Sequence, residues 1–207
     1  VITGSLGGFR GLPGAIGYAA SKAGVMSLAE SMHYDLRKTG VDVQLVDIDL
    51  RKAAVAEALG VRFVSVDSVV GEADLVIHAS GAPEGLNTAL RLAGFEATVL
   101  EMSWFGTQTV PLPLGESFHV KRVTLQSSQV GMVGVMQRAR WNRGRRLALA
   151  LDLLADDVFD HLFSGQSQFE DLPTTMERLA LDPSGELCHR IIYPGADMHV
   201  PECKEVE

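Results

Sequence analysis

The sequence predicts an α/β protein built on a doubly wound, mainly parallel sheet of about six strands, with a small strand-helix-strand appendage near its C-terminal end. Three observations predict it. Residues Val1 to Leu50 read as strand, glycine-rich loop, long helix and second strand, which is one βαβ unit. After it, β-rich apolar runs at about 61–66, 74–80, 96–103 and 122–128 alternate with helical patterns at about 51–59 and 84–93. Such alternation needs crossovers between parallel strands, and these are right-handed almost without exception.

Taken in order, VITGS is a short β-rich run entering a loop that carries Gly4, Gly7, Gly8, Gly11, Pro13, Gly14 and Gly17, turn chemistry throughout. A helix is expected from near Ile16. Its stripe of Val25, Leu28, Ala29, Met32 and Leu36 has helical period and would face the sheet, and Lys38 with Gly40 makes a C-terminus. VDVQLVDID supplies a buried-type strand ending in acid, and RKAAVAEALG a helix. TVPLPLG, with two prolines, is a loop. The segment Arg138 to Arg146 carries five arginines and leads through LALALDLLADD as a helix, its charged start read as solvated rather than as a phosphate site. Past Asp157 come FDHLFSGQSQF, a helix over EDLPTTMERLAL, a DPSG turn and the strand LCHRIIYP. The tail after Pro194 is polar and expected to fray.

Composition narrows the function classes. At 207 residues the chain can bury a substantial core. Its apolar runs are short and interrupted, none approaching the roughly 20 residues of a membrane-spanning helix, so no membrane association is expected. A net charge of -8 argues against general nucleic-acid binding. Two cysteines, Cys188 and Cys203, suit a reducing compartment, and a cytoplasmic protein is expected. With neither an initiator Met nor a signal-like segment, Val1 reads as an internal position whose upstream sequence is missing.

Two groups of residues carry chemistry. Tyr18 and Lys22 are four apart on the expected helix, so they share a face, and Ser5 lies thirteen residues before the tyrosine. A phenol with a pKa near ~10 is a poor acid-base catalyst at neutral pH unless a cation stabilises its anion. Lys22 can be that cation, while Ser5 could hold a substrate oxygen as Tyr18 moves the proton and hydride passes to a nicotinamide. The second group begins with Asp47, which closes the second strand. A carboxylate there can accept hydrogen bonds from the adenosine ribose hydroxyls and repel a 2′-phosphate, which favours NAD over NADP. Gly4 and Gly7 are the glycines that would approach the dinucleotide. Their loop is longer than a tight Gly-x-Gly-x-x-Gly turn, and Arg10 stands where a TGxxxGxG pattern wants its last glycine.

Residues 4 to 46, GSLGGFRGLPGAIGYAASKAGVMSLAESMHYDLRKTGVDVQLV, closely resemble the catalytic segment of short-chain dehydrogenases/reductases. The resemblance implies that Ser5 orients substrate, that Tyr18 is the acid-base, and that Lys22 holds the nicotinamide ribose and lowers the phenol pKa. From about 41 to 193 the chain instead resembles the later part of a medium-chain, zinc-type alcohol dehydrogenase. LVDIDLRKAAVAEALGVRFV, ADLVIHASGAPEGLNTALRLAGFEATVLEMSWFG and FHVKRVTLQSSQVG carry this second likeness. It implies a Rossmann-like NAD(P)-binding domain in which Asp47 and Lys52 flank the adenosine ribose, while Ser80, Gly81 and the stretch Ser103 to Gly106 lie along the nicotinamide half.

The expected layout is a nucleotide-binding domain over 1–157, composed of a short-chain-like unit (1–46) and a medium-chain-like part (41–157), then an appendage (158–194) and a polar tail (195–207). The zinc-ligand domain that precedes this region in the medium-chain family is expected to be missing. Cys188, His189, His199 and Cys203 lack paired zinc spacing, so no metal site is assigned and no zinc is expected to be retained. The function expected is NAD(P)-dependent oxidation of an alcohol or reduction of a carbonyl, at low activity, because the Tyr18 helix would follow the first strand, where pyrophosphate rather than nicotinamide belongs. A nucleotide-binding module without its own catalysis and a non-functional fusion of two pieces stay open, as does a homo-oligomer.

Overall fold

The computed structural model describes residues 2–3, 40–129, 131–182 and 186–194. Strands β1 (Ile2–Thr3), β2 (Gln44–Asp47), β3 (Arg62–Ser65), β4 (Ala73–His78), β5 (Ala93–Glu101) and β6 (Thr124–Ser127) form one sheet in the order β3-β2-β1-β4-β5-β6. Every neighbouring pair is parallel. The order reverses between β1 and β4, the mark of a doubly wound sheet with a crevice at that switch point.

Helix α1 (Lys52–Ala58) connects β2 to β3, and α2 (Pro83–Leu92) connects β4 to β5. Moving outward from the switch point in opposite directions, right-handed crossovers place these helices on opposite faces of the sheet. The cores agree. On one face Leu45 and Ile77 pack with Ala56 and Leu59 of α1, and on the other Val46 and Val76 pack with Leu86, Ala89 and Leu90 of α2. Adjacent residues of β2 and of β4 thus serve different cores, the period-two alternation of a strand buried on both sides.

Local chemistry sets the helix ends. At the end of α1 the amide of Gly60 donates to the Glu57 carbonyl and that of Val61 to Ala56, each at 2.8 Å, a Schellman cap. Gly60 takes the left-handed φ of +69° that this cap requires, and Val61 follows it into the core. Helix α2 begins with Pro83, whose missing amide hydrogen costs nothing there, and carries Glu84 in its first turn. It passes straight into β5 at Ala93, three residues earlier than the sequence pattern suggests. Regular pairing with β4 begins only at Thr98, after a register shift that accommodates Glu96 at a φ of +58°.

Helix α3 (Arg143–Leu153) starts at Arg143, because the Asn142 side chain accepts from the Arg145 amide at 2.8 Å and caps it. The arginines before it lie outside the helix, and none of the α3 residues is buried. A 3₁₀ turn (Asp157–Leu162) then buries Phe159 and Leu162 in the first core. Beyond it β7 (Phe163–Gln168), α4 (Leu172–Leu181) and β8 (Cys188–Ile192) form a small parallel strand-helix-strand unit. No helix among the described residues is long and apolar enough to cross a membrane.

Candidate functional site

In an open parallel sheet the ligand lies outside the carboxyl ends of the strands, across the switch point. Two polar constellations stand at those ends. On the β2 side, Asp47 is the last residue of its strand and is 4% exposed. Lys52, in the first turn of α1, donates from Nζ to Asp47 Oδ2 at 2.7 Å, and the Asp49 amide donates to Oδ1 at 2.8 Å. Burial nevertheless pushes the Asp47 carboxyl above its ordinary pKa, outweighing the hydrogen bonds and the lysine charge. Nearer solvent, Asp49 accepts from Arg51 Nε at 2.9 Å and Nη2 at 2.8 Å, and this fork lowers its pKa.

On the β4 and β5 side the strands end in His78 and Glu101, which the register sets opposite one another. Glu101 Oε2 lies 2.6 Å from His78 Nδ1, and His78 Nε2 lies 2.6 Å from Ser80 Oγ. Ser80 Oγ accepts from the Ala82 amide at 3.1 Å. The other oxygen of Glu101 accepts from the Ser103 amide, and Ser103 Oγ accepts from the Gly81 amide at 3.0 Å. His78 is fully buried, and the Phe105 ring stacks beside it at 6.3 Å. Helix α2 closes over this group at Gly85. A Cβ there would come within 2.1 Å of Ser80 Oγ and 2.8 Å of His78 Nε2, so only glycine fits.

The structure therefore joins Asp47 to Lys52, and brings Ser80 and Gly81 to Ser103, in two clusters on either side of the switch point. Ser5, Tyr18, Lys22, Gly4 and Gly7 lie outside the described residues. Cys188 and His189 sit in β8, where burial raises the Cys188 thiol pKa. The His189 ring faces Ser167 Oγ at 2.7 Å and Glu186 Oε1 at 3.2 Å, while His199 and Cys203 fall outside the described residues. Among the described residues no group of three His, Cys, Asp or Glu side chains could hold a metal ion. Sequence reasoning missed His78 and Glu101. The available signal was a titratable residue closing each of two short β-rich runs, LVIH and TVLE.

A family model described as short chain dehydrogenase matches residues 1–60. No curated protein matches the chain. Among solved structures, L-idonate 5-dehydrogenase from Escherichia coli is 17% identical, with a TM-score of 0.59 over 92% of this chain and 49% of that one. A short chain alcohol dehydrogenase from E. coli CFT073, complexed with NADH, is 14% identical, with a TM-score of 0.58 over 78% of this chain and 47% of that one. An oxidoreductase from Salmonella enterica in complex with NADP is 17% identical, with a TM-score of 0.53 over 87% of this chain and 50% of that one.

Both resemblances hold. The N-terminal segment has the short-chain dehydrogenase pattern, and the fold as a whole is the Rossmann-like sheet of alcohol dehydrogenases. At these identities the structural likeness is one of fold. The chain spans about half the length of the solved structures it matches.

Proposed function

We propose that this chain binds a nicotinamide dinucleotide across the β1/β4 switch point and belongs to an alcohol/carbonyl oxidoreductase, with NAD preferred over NADP. The observation that carries the reading is the position of Asp47. It is a carboxylate held at the carboxyl end of β2 with one oxygen on Lys52 and the other on the Asp49 amide. A carboxylate has lone pairs for further donors, so ribose hydroxyls can add to these partners, whereas a 2′-phosphate would meet negative charge. Lys52 would flank the same ribose, and the turn at Ser80 and Gly81 would take the nicotinamide half. The solved structures with NADH and with NADP support a nicotinamide cofactor and leave the choice between the two to Asp47.

The chemistry a bound nicotinamide supplies is hydride transfer. Substrates of this class are small alcohols or carbonyls. Ser5, Tyr18 and Lys22 would handle the proton if the segment after β1 reached the nicotinamide. Because β1 lies between β2 and β4, its carboxyl end stands at the crevice where pyrophosphate belongs, which supports the expectation of low turnover. A second reading, a nucleotide-binding module completed by another domain, is favoured by the half-length match to the solved structures.

One pair of measurements tests the proposal. Titration of NADH and NADPH, followed by reduced-nicotinamide fluorescence, should give tighter binding of NADH. Equal affinities or tighter NADPH would overturn the role of Asp47. Turnover on simple secondary alcohols then separates an oxidoreductase from a binding module.

A further inference from the structure

Two hydrogen-bonded chains among the described residues share the order serine, histidine, carboxylate. The first, Ser167–His189–Glu186, belongs to the appendage. Thr175 of α4, itself buried, donates to Ser167 Oγ at 2.9 Å, and Arg178 donates to Glu186 at 2.9 Å, so the helix covers that hydroxyl. The second, Ser80–His78–Glu101, stands at the carboxyl ends of the two strands that would carry the second mononucleotide. Its location, rather than its composition, is informative.

We infer that His78 is a positioning residue for the dinucleotide site: it transmits the Glu101 carboxylate at the end of β5 to the Ser80–Ala82 turn and so sets the backbone against which the nicotinamide mononucleotide half lies. The inference rests on the nicotinamide-dinucleotide reading above. A carboxylate only accepts, so the proton between Glu101 and His78 sits on Nδ1, and in the neutral ring Nε2 is left to accept the Ser80 hydroxyl hydrogen. Ser80 Oγ then keeps a lone pair for the Ala82 amide. The Ser80 hydroxyl also lies 3.4 Å from the Ala82 carbonyl, a longer contact than its 2.6 Å to the ring.

The second Glu101 oxygen works in parallel. Through the Ser103 amide and hydroxyl it fixes the Gly81 amide, in a residue whose φ is +71°. The two oxygens of one carboxylate thereby orient two consecutive backbone amides, Gly81 and Ala82, on the far side of the switch point from Asp47. A fully buried histidine at a strand end carries a desolvation cost that an apolar residue would avoid, and a buried network with all its members satisfied rigidifies what it touches. The turn it rigidifies faces the crevice. Among the described residues, Glu101 and Ser80 are the polar partners of the ring, and Phe105 and the backbone at Gly85 lie against it.

The test compares ligands that contain and lack the nicotinamide half. NADH and 5′-AMP are titrated calorimetrically against the wild-type chain, His78→Leu, and His78→Gln, which retains one donor and one acceptor. NADH affinity is expected to fall at least about tenfold in His78→Leu and to recover in part in His78→Gln, with 5′-AMP affinity unchanged in both. Equal losses for the two ligands, or an unchanged NADH affinity, would overturn the positioning role. A wild-type chain that binds neither ligand would overturn the dinucleotide reading itself. Should the leucine variant fail to fold, nitrogen-15 NMR of the wild-type His78 ring decides. Its resonances should move on adding NADH and stay fixed on adding 5′-AMP; a ring indifferent to NADH sinks the proposal.

Discussion

Lys52 and Asp47 form a buried ion pair, with side chains 9% and 3% exposed. The pair matters to stability mainly through what remains when one member is lost. Lys52→Met would leave an uncompensated carboxylate at the end of β2, and a broken buried pair costs about 3–5 kcal/mol. The sign with pH follows from the raised Asp47 pKa. A folded-state value above 3.8 means that the native state holds the proton more tightly than the unfolded chain, so the stability contributed by this group is fully present below 3.8 and is lost as pH rises through the folded value. Chemical denaturation of Lys52→Met should therefore show a large deficit at pH 7 that shrinks as pH falls, because a neutral Asp47 needs no cation. A deficit independent of pH would mean that Asp47 is already neutral in the native state. Glu186 has the opposite sign, since its lowered pKa gives stability that is lost on acidification.

The place of Asp47 at the end of β2 was legible because the run VDVQLVDID passes directly into a helical pattern. His78 and Glu101 were not. They are 23 residues apart and meet only through the register of β4 on β5, where His78 pairs with Glu101, and no local pattern encodes that pairing. Each is one polar residue at the end of an apolar run, the form that a solvated strand end also takes.

At the scale of one element, α2 shows how packing overrides propensity. Replacing an interior helical glycine by alanine ordinarily gains up to about 1 kcal/mol. At Gly85 the added Cβ would overlap Ser80 Oγ and His78 Nε2, and overpacking a tight site costs about 1–3 kcal/mol. The clash wins. Gly85→Ala should lower the thermal midpoint, and the same substitution in a Ser80→Ala background should cost less, because the nearest atom is then gone. Full recovery is not expected, since His78 Nε2 would still be 2.8 Å and Ser80 Cβ 3.0 Å away. Element type was readable from periodicity for β2 to β6 and for α1 and α2. Boundaries were less so. The direct passage of α2 into β5 and the start of α3 at Arg143 depend on backbone angles and a cap that periodicity does not report.

For the molecule as a whole, α1 and α2 each pack into a core against the sheet while none of the α3 residues is buried. Leu149 and Leu151 are 43% and 60% exposed, and Met132, Val135, Met136 and Leu147 are exposed as well. Residues that bury little can change at little cost, within about 0.5 kcal/mol. Leu149→Glu with Leu151→Glu should leave the unfolding midpoint nearly unchanged and reduce binding of an apolar fluorescent dye such as ANS. A large drop in midpoint would show that α3 is packed more closely than its exposure indicates. Fold class and sheet topology were legible at this scale because strand and helix patterns alternate and handedness leaves few ways to connect them. The bareness of α3 was not, since its arginine-then-leucine sequence suits a packed helix equally well.

A sheet without hairpins has a history written into its register. Gln44 pairs with Arg62, 18 positions on, whereas Ile2 pairs with Ile77, 75 positions on. The difference is about two doublings of loop length, and each doubling adds roughly 0.6 kcal/mol of closure entropy. That is less than one buried leucine contributes, so the long connection scarcely weakens the finished molecule. It bears on time instead. The central strand is the one whose partners are most distant along the chain, so its two neighbours must wait for it with their hydrogen-bonding edges unmatched. Refolding by this route is slow, and those waiting edges are where chains at high concentration would find one another first.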